Sequence, residues 1–167
     1  MAEIFNYAPD EVTVLAGGFF HLDGFIDGTF VSITKDMVPF NSIRMPDGTT
    51  ARLYNNSNNY TVRVTLHSAS DSNSVLTKMW QLDEITQKGK LPLMIKDHSG
   101  SDLLFSPTAW IEDIPDLVKS KGIEGRTWTF RANGCVINIG GNGEASGLLE
   151  DLVNIATSAL PSLGGIF

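Results

Sequence analysis

The chain has 167 residues, 19% of them charged, and a net charge of −7. That length predicts a single domain able to bury roughly two-thirds of its unfolded surface, while the acidic balance, with no basic patch, speaks against tight nucleic-acid binding. A lone cysteine, Cys135, excludes an intrachain disulfide and a thiolate metal cluster and suits a reducing compartment, and the richness in Gly, Asn, Ser and Thr leans toward β structure and surfaces covered by other chains.

The start, "MAEIFNYAPDEV", lacks the charged head and apolar run of a signal peptide. Nowhere does an apolar run approach the 18 or so residues of a spanning helix. The chain is therefore expected to be soluble, made in the cytoplasm and not inserted in a membrane. "EVTVLAG" (Glu11–Gly17) and "TFVSITKD" (Thr29–Asp36) alternate as strands. Between them, Gly pairs and Asp-Gly steps predict tight turns around a short strand, Phe19–Leu22. "RMPDGTTARLYNNSNNYTVRV" (Arg44–Val64) opens on a Pro-Asp-Gly turn and is crowded with uncharged polar residues. "YTVRVTLHSA" (Tyr60–Ala69) is the clearest strand, with Val62, Val64 and Leu66 on one face and Thr61, Arg63 and Thr65 on the other.

The period then changes. Val75, Met79 and Leu82 fall at i, i+4 and i+7, with Leu76 and Trp80 beside them, and these five residues are the expected core face of a helix. Ser70, Asp71 and Ser72 are N-cap candidates. Strands return at Leu91–Gly100, Asp102–Asp113 and Gly125–Gly141. The "DHSG" turn predicts a hairpin between the first two, and Asn133–Gly134 predicts a second hairpin inside the last. "ASGLLEDLVNIATSAL" (Ala145–Leu160) carries Leu148, Leu152, Ile155 and Ala159 at helical spacing, and "PSLGGIF" closes the chain. Many short strands around one helix, without βαβ alternation, predict a mainly β protein: an antiparallel barrel or sandwich with a flanking helix and an additional C-terminal helix.

The search for chemistry returns little. "INIGGNGEASG" imitates a dinucleotide fingerprint, but the spacing to Gly147 is one residue too long and no second strand follows. Asp97, His98 and Ser99 are consecutive, so their side chains diverge in an extended chain and do not make a triad. His21, His67 and His98 are isolated, so no zinc site is supported. Asp23 and Asp27 lack the calcium-loop pattern. The pairs Asp83–Glu84 and Glu112–Asp113 read as solvated or element-end charges, and Trp80, Trp110 and Trp128 lie in separate elements. The expectation is no catalytic residue, no metal and no cofactor. What remains suits assembly: an uncharged polar hairpin, an N-terminal lead with Phe5 and Tyr7, and an apolar tail ending in Ile166 and Phe167.

In their order and spacing the segments resemble the tail tube proteins of contractile-tailed bacteriophages. The residues that carry the likeness are "GFIDGTFVSI" (Gly24–Ile33), the turn Pro46–Arg52, the strand Tyr60–Leu66, Ser70, Asn73 and Leu76 leading into the helix, and then "IKDHSG", "AWIEDIPD" and "GRTWTF". The likeness spans about Val12–Gly141. It departs at Pro46, where a smaller residue is expected, and it leaves Asn142–Phe167 uncovered. The expected organisation is a tail-tube-like β domain over residues 1–141, with an N-terminal arm at about 1–11, followed by an extension over 142–167.

The resemblance implies hexameric rings, with sheets joined edge to edge, stacked into an inner tube inside the tail. It also implies sheath, baseplate and tail terminator proteins as partners, and a virion location for a protein made in the bacterial host. DNA would pass through the lumen without specific binding. The charge pattern suits this: seven acids against three bases in residues 1–60, nine of each in 61–135, and three acids without a base in 136–167. Lysines or arginines lining a lumen would retard sliding phosphates. On this reading Met37–Asn59 is an arm between subunits or rings. Arg44, Asp47, Arg52, Tyr54 and Asn55 are its interface candidates, together with Phe5, Tyr7, Ile166 and Phe167 at the termini, and the outer face of Tyr60–Leu66 looks toward the channel or a neighbour. Alternatives are a ring protein like the tube of type VI secretion, a terminator or baseplate ring, and a small enzyme or sugar-binding β domain.

Overall fold

The computed structural model describes residues 8–141. After a 3-10 turn at Pro9–Glu11 come strands β1 (Val12–Ala16), β2 (Phe20–Leu22), β3 (Val31–Lys35), β4 (Phe40–Arg44), β5 (Thr50–Tyr54) and β6 (Tyr60–His67). Helix α1 (Ser72–Thr86) follows, then β7 (Leu91–Asp97), β8 (Leu103–Asp113), β9 (Gly125–Asn133) and β10 (Val136–Asn138). Among the described residues, eight strands form one antiparallel sheet in the order β2-β1-β7-β8-β9-β6-β3, with β10 on β8, and β4 and β5 pair only with each other. The mainly β, antiparallel expectation holds, as a sandwich-like curled sheet rather than a closed barrel. The predicted C-terminal helix, and the 142–167 extension that contains it, lie outside the described residues.

Period-two alternation sets which faces are buried. Tyr60, Val62, Val64 and Leu66 are buried while Arg63 between them is exposed. The register of β6 on β9 sets Val62 opposite Phe130 and Val64 opposite Trp128. With Val14, Leu93, Leu104 and Ile111 these side chains form the core. The two ends of the sheet approach each other at one rim, where Phe25 bridges Leu66 and the His67 amide donates to the Gly24 carbonyl at 2.8 Å. Gly24 has φ +73°, and a Cβ there would sit 2.7 Å from Ser70, so the close approach requires glycine.

Helix α1 covers the core with a face rotated from the expected one. Leu76 is fully buried, and Met79 and Trp80 pack against the core. Val75 is half-buried. Leu82 is 61% exposed, which corrects its expected place in the core. The buried stripe starts at Ser72 and Asn73, polar residues whose bonds are satisfied inside the fold. Asn73 Oδ1 accepts the Trp128 indole N–H at 2.9 Å, and its Nδ2 donates to the carbonyls of His67 and Ser70 at 3.0 and 3.1 Å. That triple bond set draws Asn73 inward and carries Leu82 out to solvent. Asp71 occupies the N-cap position without a side-chain cap, whereas the Ser70 hydroxyl accepts the Ser72 amide at 3.2 Å.

A second correction concerns Asn133–Gly134. β9 and β10 do not form a hairpin; both pair with β8 and continue one register, Ala109↔Ala132 through Phe105↔Val136. The gap between them faces Ser106–Pro107. Pro107 has no N–H to donate. The Ser106 hydroxyl donates instead to the Asn133 carbonyl at 2.8 Å, and the Cys135 amide turns to the Asn58 carbonyl at 3.0 Å. The Asn-Gly step is thus an interruption in one long strand. Among the described residues, no helix is long and apolar enough to cross a membrane.

Candidate functional site

The β4–β5 hairpin stands outside the main sheet and contributes no residue to the core. Its tip is fixed by sequence chemistry. Asp47 Oδ1 accepts the Thr49 amide at 2.9 Å and the Thr49 hydroxyl at 2.6 Å, and these bonds hold its carboxyl below the usual range. Gly48 supplies the positive φ of 92°. The root is fixed as well: the Asp36 amide donates to the Asn59 carbonyl at 3.1 Å, and the Asn55 amide to the Pro39 carbonyl at 2.7 Å. The Asn55 side chain reaches Met37 Sδ at 3.5 Å.

Residues directly opposite in the ladder share a face. Phe40↔Tyr54, Ser42↔Arg52 and Arg44↔Thr50 make one side of the arm; Asn41↔Leu53 and Ile43↔Ala51 make the other. On the first side the Phe40 and Tyr54 rings lie 5.2 Å apart, and the Arg52 guanidinium sits 3.6 Å over the Phe40 ring. On the second, Ile43 and Leu53 are half-exposed, and Met37 and Val38 add apolar surface at the root. A two-stranded hairpin alone is marginal in water, and among the described residues nothing covers this apolar surface. The five arm candidates thus come together on one element. Asp47 and Asn55 serve its tip and root, and Arg44, Arg52 and Tyr54 face outward. Phe5, Tyr7, Ile166 and Phe167 lie outside the described residues.

The face of the sheet turned away from the core is lined by hydroxyls. Ser32, Thr34, Thr61, Thr65, Thr127 and Thr129 lie on it by register, and the Thr65 and Thr127 hydroxyls are 2.9 Å apart. Part of its charge is paired internally. Arg131 grips Glu112 with two bonds, Nε to Oε2 at 2.9 Å and Nη2 to Oε1 at 3.0 Å, and its Nη1 bonds Asp36. Asp36 Oδ1 accepts the Thr61 hydroxyl at 2.6 Å. Glu112 is therefore half of an ion pair rather than a merely solvated end charge. Sequence reasoning missed this clamp, since its members come from β8, β9 and the end of β3 and no local pattern relates them. Because Asp36 begins the root of the arm, the clamp ties the arm to the sheet.

Burial raises the Asp36 pKa, but the Thr61 and Arg131 bonds outweigh it and leave the carboxyl below its ordinary value. A depressed carboxylate stabilises the fold above its unfolded pKa, about 3.9, and that stability is lost as pH falls through the folded value. With Arg131 31% and Asp36 15% exposed, Arg131→Met is expected to cost about 1–2 kcal/mol at pH 7. The gap between the two proteins in urea titrations should begin to narrow as pH falls below about 3.9 and close only below the lower folded value; a gap independent of pH would contradict the assignment.

A groove of about 420 Å³ opens beside β3, lined by Val12, Val31, Ile33, Ile137 and Ile139, with Asp97 and Asp102 also on its lining. None of its described lining residues pairs a nucleophile with a base. Among the described residues, no group of three or more His, Cys, Asp or Glu is placed to hold a metal. The His98 ring bonds the Thr13 hydroxyl at 3.2 Å. Cys135 is buried, and burial pushes its thiol up, away from the reactive thiolate.

No protein-family model matches the chain. A curated relative does: structural protein ORF10 of Pseudomonas phage KPP10, 32% identical over 153 residues, which cover 87% of this chain and 88% of that protein. The chain belongs to this family of phage structural proteins. Solved structures share its fold. A chain from the virion of a native gene transfer agent particle matches with a TM-score of 0.54 at 11% identity, over 80% of this chain and all of that one. The anti-feeding prophage cap, which terminates the AFP tube, matches with a TM-score of 0.51 at 15% identity, over 83% of this chain and 94% of the other.

Proposed function

We propose that this phage structural protein is a tail component that assembles into hexameric rings, stacked as the inner tube through which DNA leaves the capsid. The observation that carries the reading is the β4–β5 arm: fixed at tip and root, outside the core, and exposing Ile43, Leu53 and Tyr54. An arm of this kind reaches a neighbouring subunit or ring, where burial of its apolar surface returns roughly 25 cal/mol per Å². The hydroxyl-lined sheet face supports a channel lining. Of its cations, Arg131 is paired with both Asp36 and Glu112, which leaves Arg63 and Lys96 as the ones that passing phosphates would meet. Sheath, baseplate and terminator proteins are the further partners of such a tube.

The shared fold with a tube-terminating cap favours a second reading, a terminator ring that closes the tube. Electron microscopy of concentrated purified protein separates the two: long tubes support the first, single rings the second.

A further inference from the structure

We propose that the aromatic and arginine face of one copy's β4–β5 arm seats in the groove beside β3 of a second copy, joining copies head to tail. The inference rests on the assembly reading above and names the surface that receives the arm. Within one copy the two do not meet, since no arm residue lines the groove. They occupy opposite ends of β3: the groove takes Gly28 to Ile33, and the arm leaves after Lys35.

Their chemistry is complementary. The groove opens onto inward-facing Val31 and Ile33, which are only half-buried although their ladder partners Val64 and Val62 are fully covered. Among the described residues nothing covers this mouth of the core. Among its described lining residues are two carboxylates and no base. Asp97 uses one oxygen on the Ser99 amide and hydroxyl, and Asp102 uses one on the Gly140 amide at 2.7 Å. In both, the second oxygen makes no hydrogen bond among the described residues. The arm offers the matching set: Phe40 and Tyr54 as rigid apolar anchors, Arg52 stacked on Phe40, and Arg44 on the same side. Arm residues 37–59 contain one acid, Asp47, whose Oδ1 is held in the turn. Aromatic and arginine side chains are the types that dominate interface energetics. The terminal segments 1–7 and 142–167 contain no Lys or Arg, so neither brings a side-chain cation to those carboxylates. A knob at one end of β3 and a hole at the other make a heterologous contact, which closes into a ring or runs on as a filament.

The test mixes two variants, Tyr54→Cys and Ile139→Cys, both at exposed positions, and adds a short bismaleimide; native Cys135 is buried. A cross-linked dimer is expected from the mixture and from neither variant alone. Arg52→Glu on the Tyr54→Cys chain should abolish it, and Asp102→Arg on the Ile139→Cys chain should restore it. If Tyr54→Cys does not assemble, Ser42→Cys on the same face of the arm replaces it. Rings that form without any cross-link between copies overturn the proposal and leave the assembly reading standing. A wild-type chain that forms no rings overturns the assembly reading itself.

Discussion

Replacing Val38–Asn55 by a short Gly-Ser turn is expected to yield a folded monomer that does not assemble into rings. The deletion removes β4 and β5 and leaves every core residue in place, because no core residue lies between Cys135's partner Asn58 and β3 on the arm side. Asn58, whose carbonyl accepts the Cys135 amide, and Asn59, which closes the root onto Asp36, are both retained. The closed loop becomes shorter, which lowers its closure entropy slightly. Thermal unfolding should therefore move by only a few degrees, on the scale of about 1 kcal/mol, while sedimentation falls from ring to monomer. Rings that persist without the arm would show that subunit contact lies elsewhere.

Asn73→Ala is expected to destabilise the fold by about 3 kcal/mol. It breaks three bonds and strands a buried indole N–H on Trp128, which is 2% exposed. A buried donor left without a partner costs about 1–3 kcal/mol, and the carbonyls of His67 and Ser70 lose a donor at the start of α1. A loss of that size lowers the midpoint by roughly 6–12 °C in a domain of this length. Differential scanning calorimetry measures it, with Ser74→Ala, exposed on the same helix, as the control expected to change little. Equal behaviour of the two variants would refute the role given to Asn73.

The sheet was legible in the sequence because its strands alternate cleanly: Tyr60–His67 shows the same two faces in the structure as in the letters. The helix was legible in position but not in rotation. Counting apolar residues favours Val75, Met79 and Leu82, whereas the buried stripe is nucleated by Asn73, whose inward pull depends on an indole 55 positions away. The Asn-Gly step misled for a similar reason, since what interrupts β9–β10 is Pro107 on the facing strand, and Ser106 repairs the gap. The Arg131 clamp and the groove are assembled from distant strands and leave no local trace. The arm left one, because its Pro-Asp-Gly turn and uncharged polar residues are contiguous. The terminal candidates Phe5, Tyr7, Ile166 and Phe167 remain expectations drawn from sequence.

Negative-stain electron microscopy of the purified full chain over a range of concentrations tests the central claim most directly. The account predicts rings with six-fold symmetry, stacking into tubes or remaining single as the protein is a tube subunit or a terminator. Monodisperse single subunits at every concentration would contradict it.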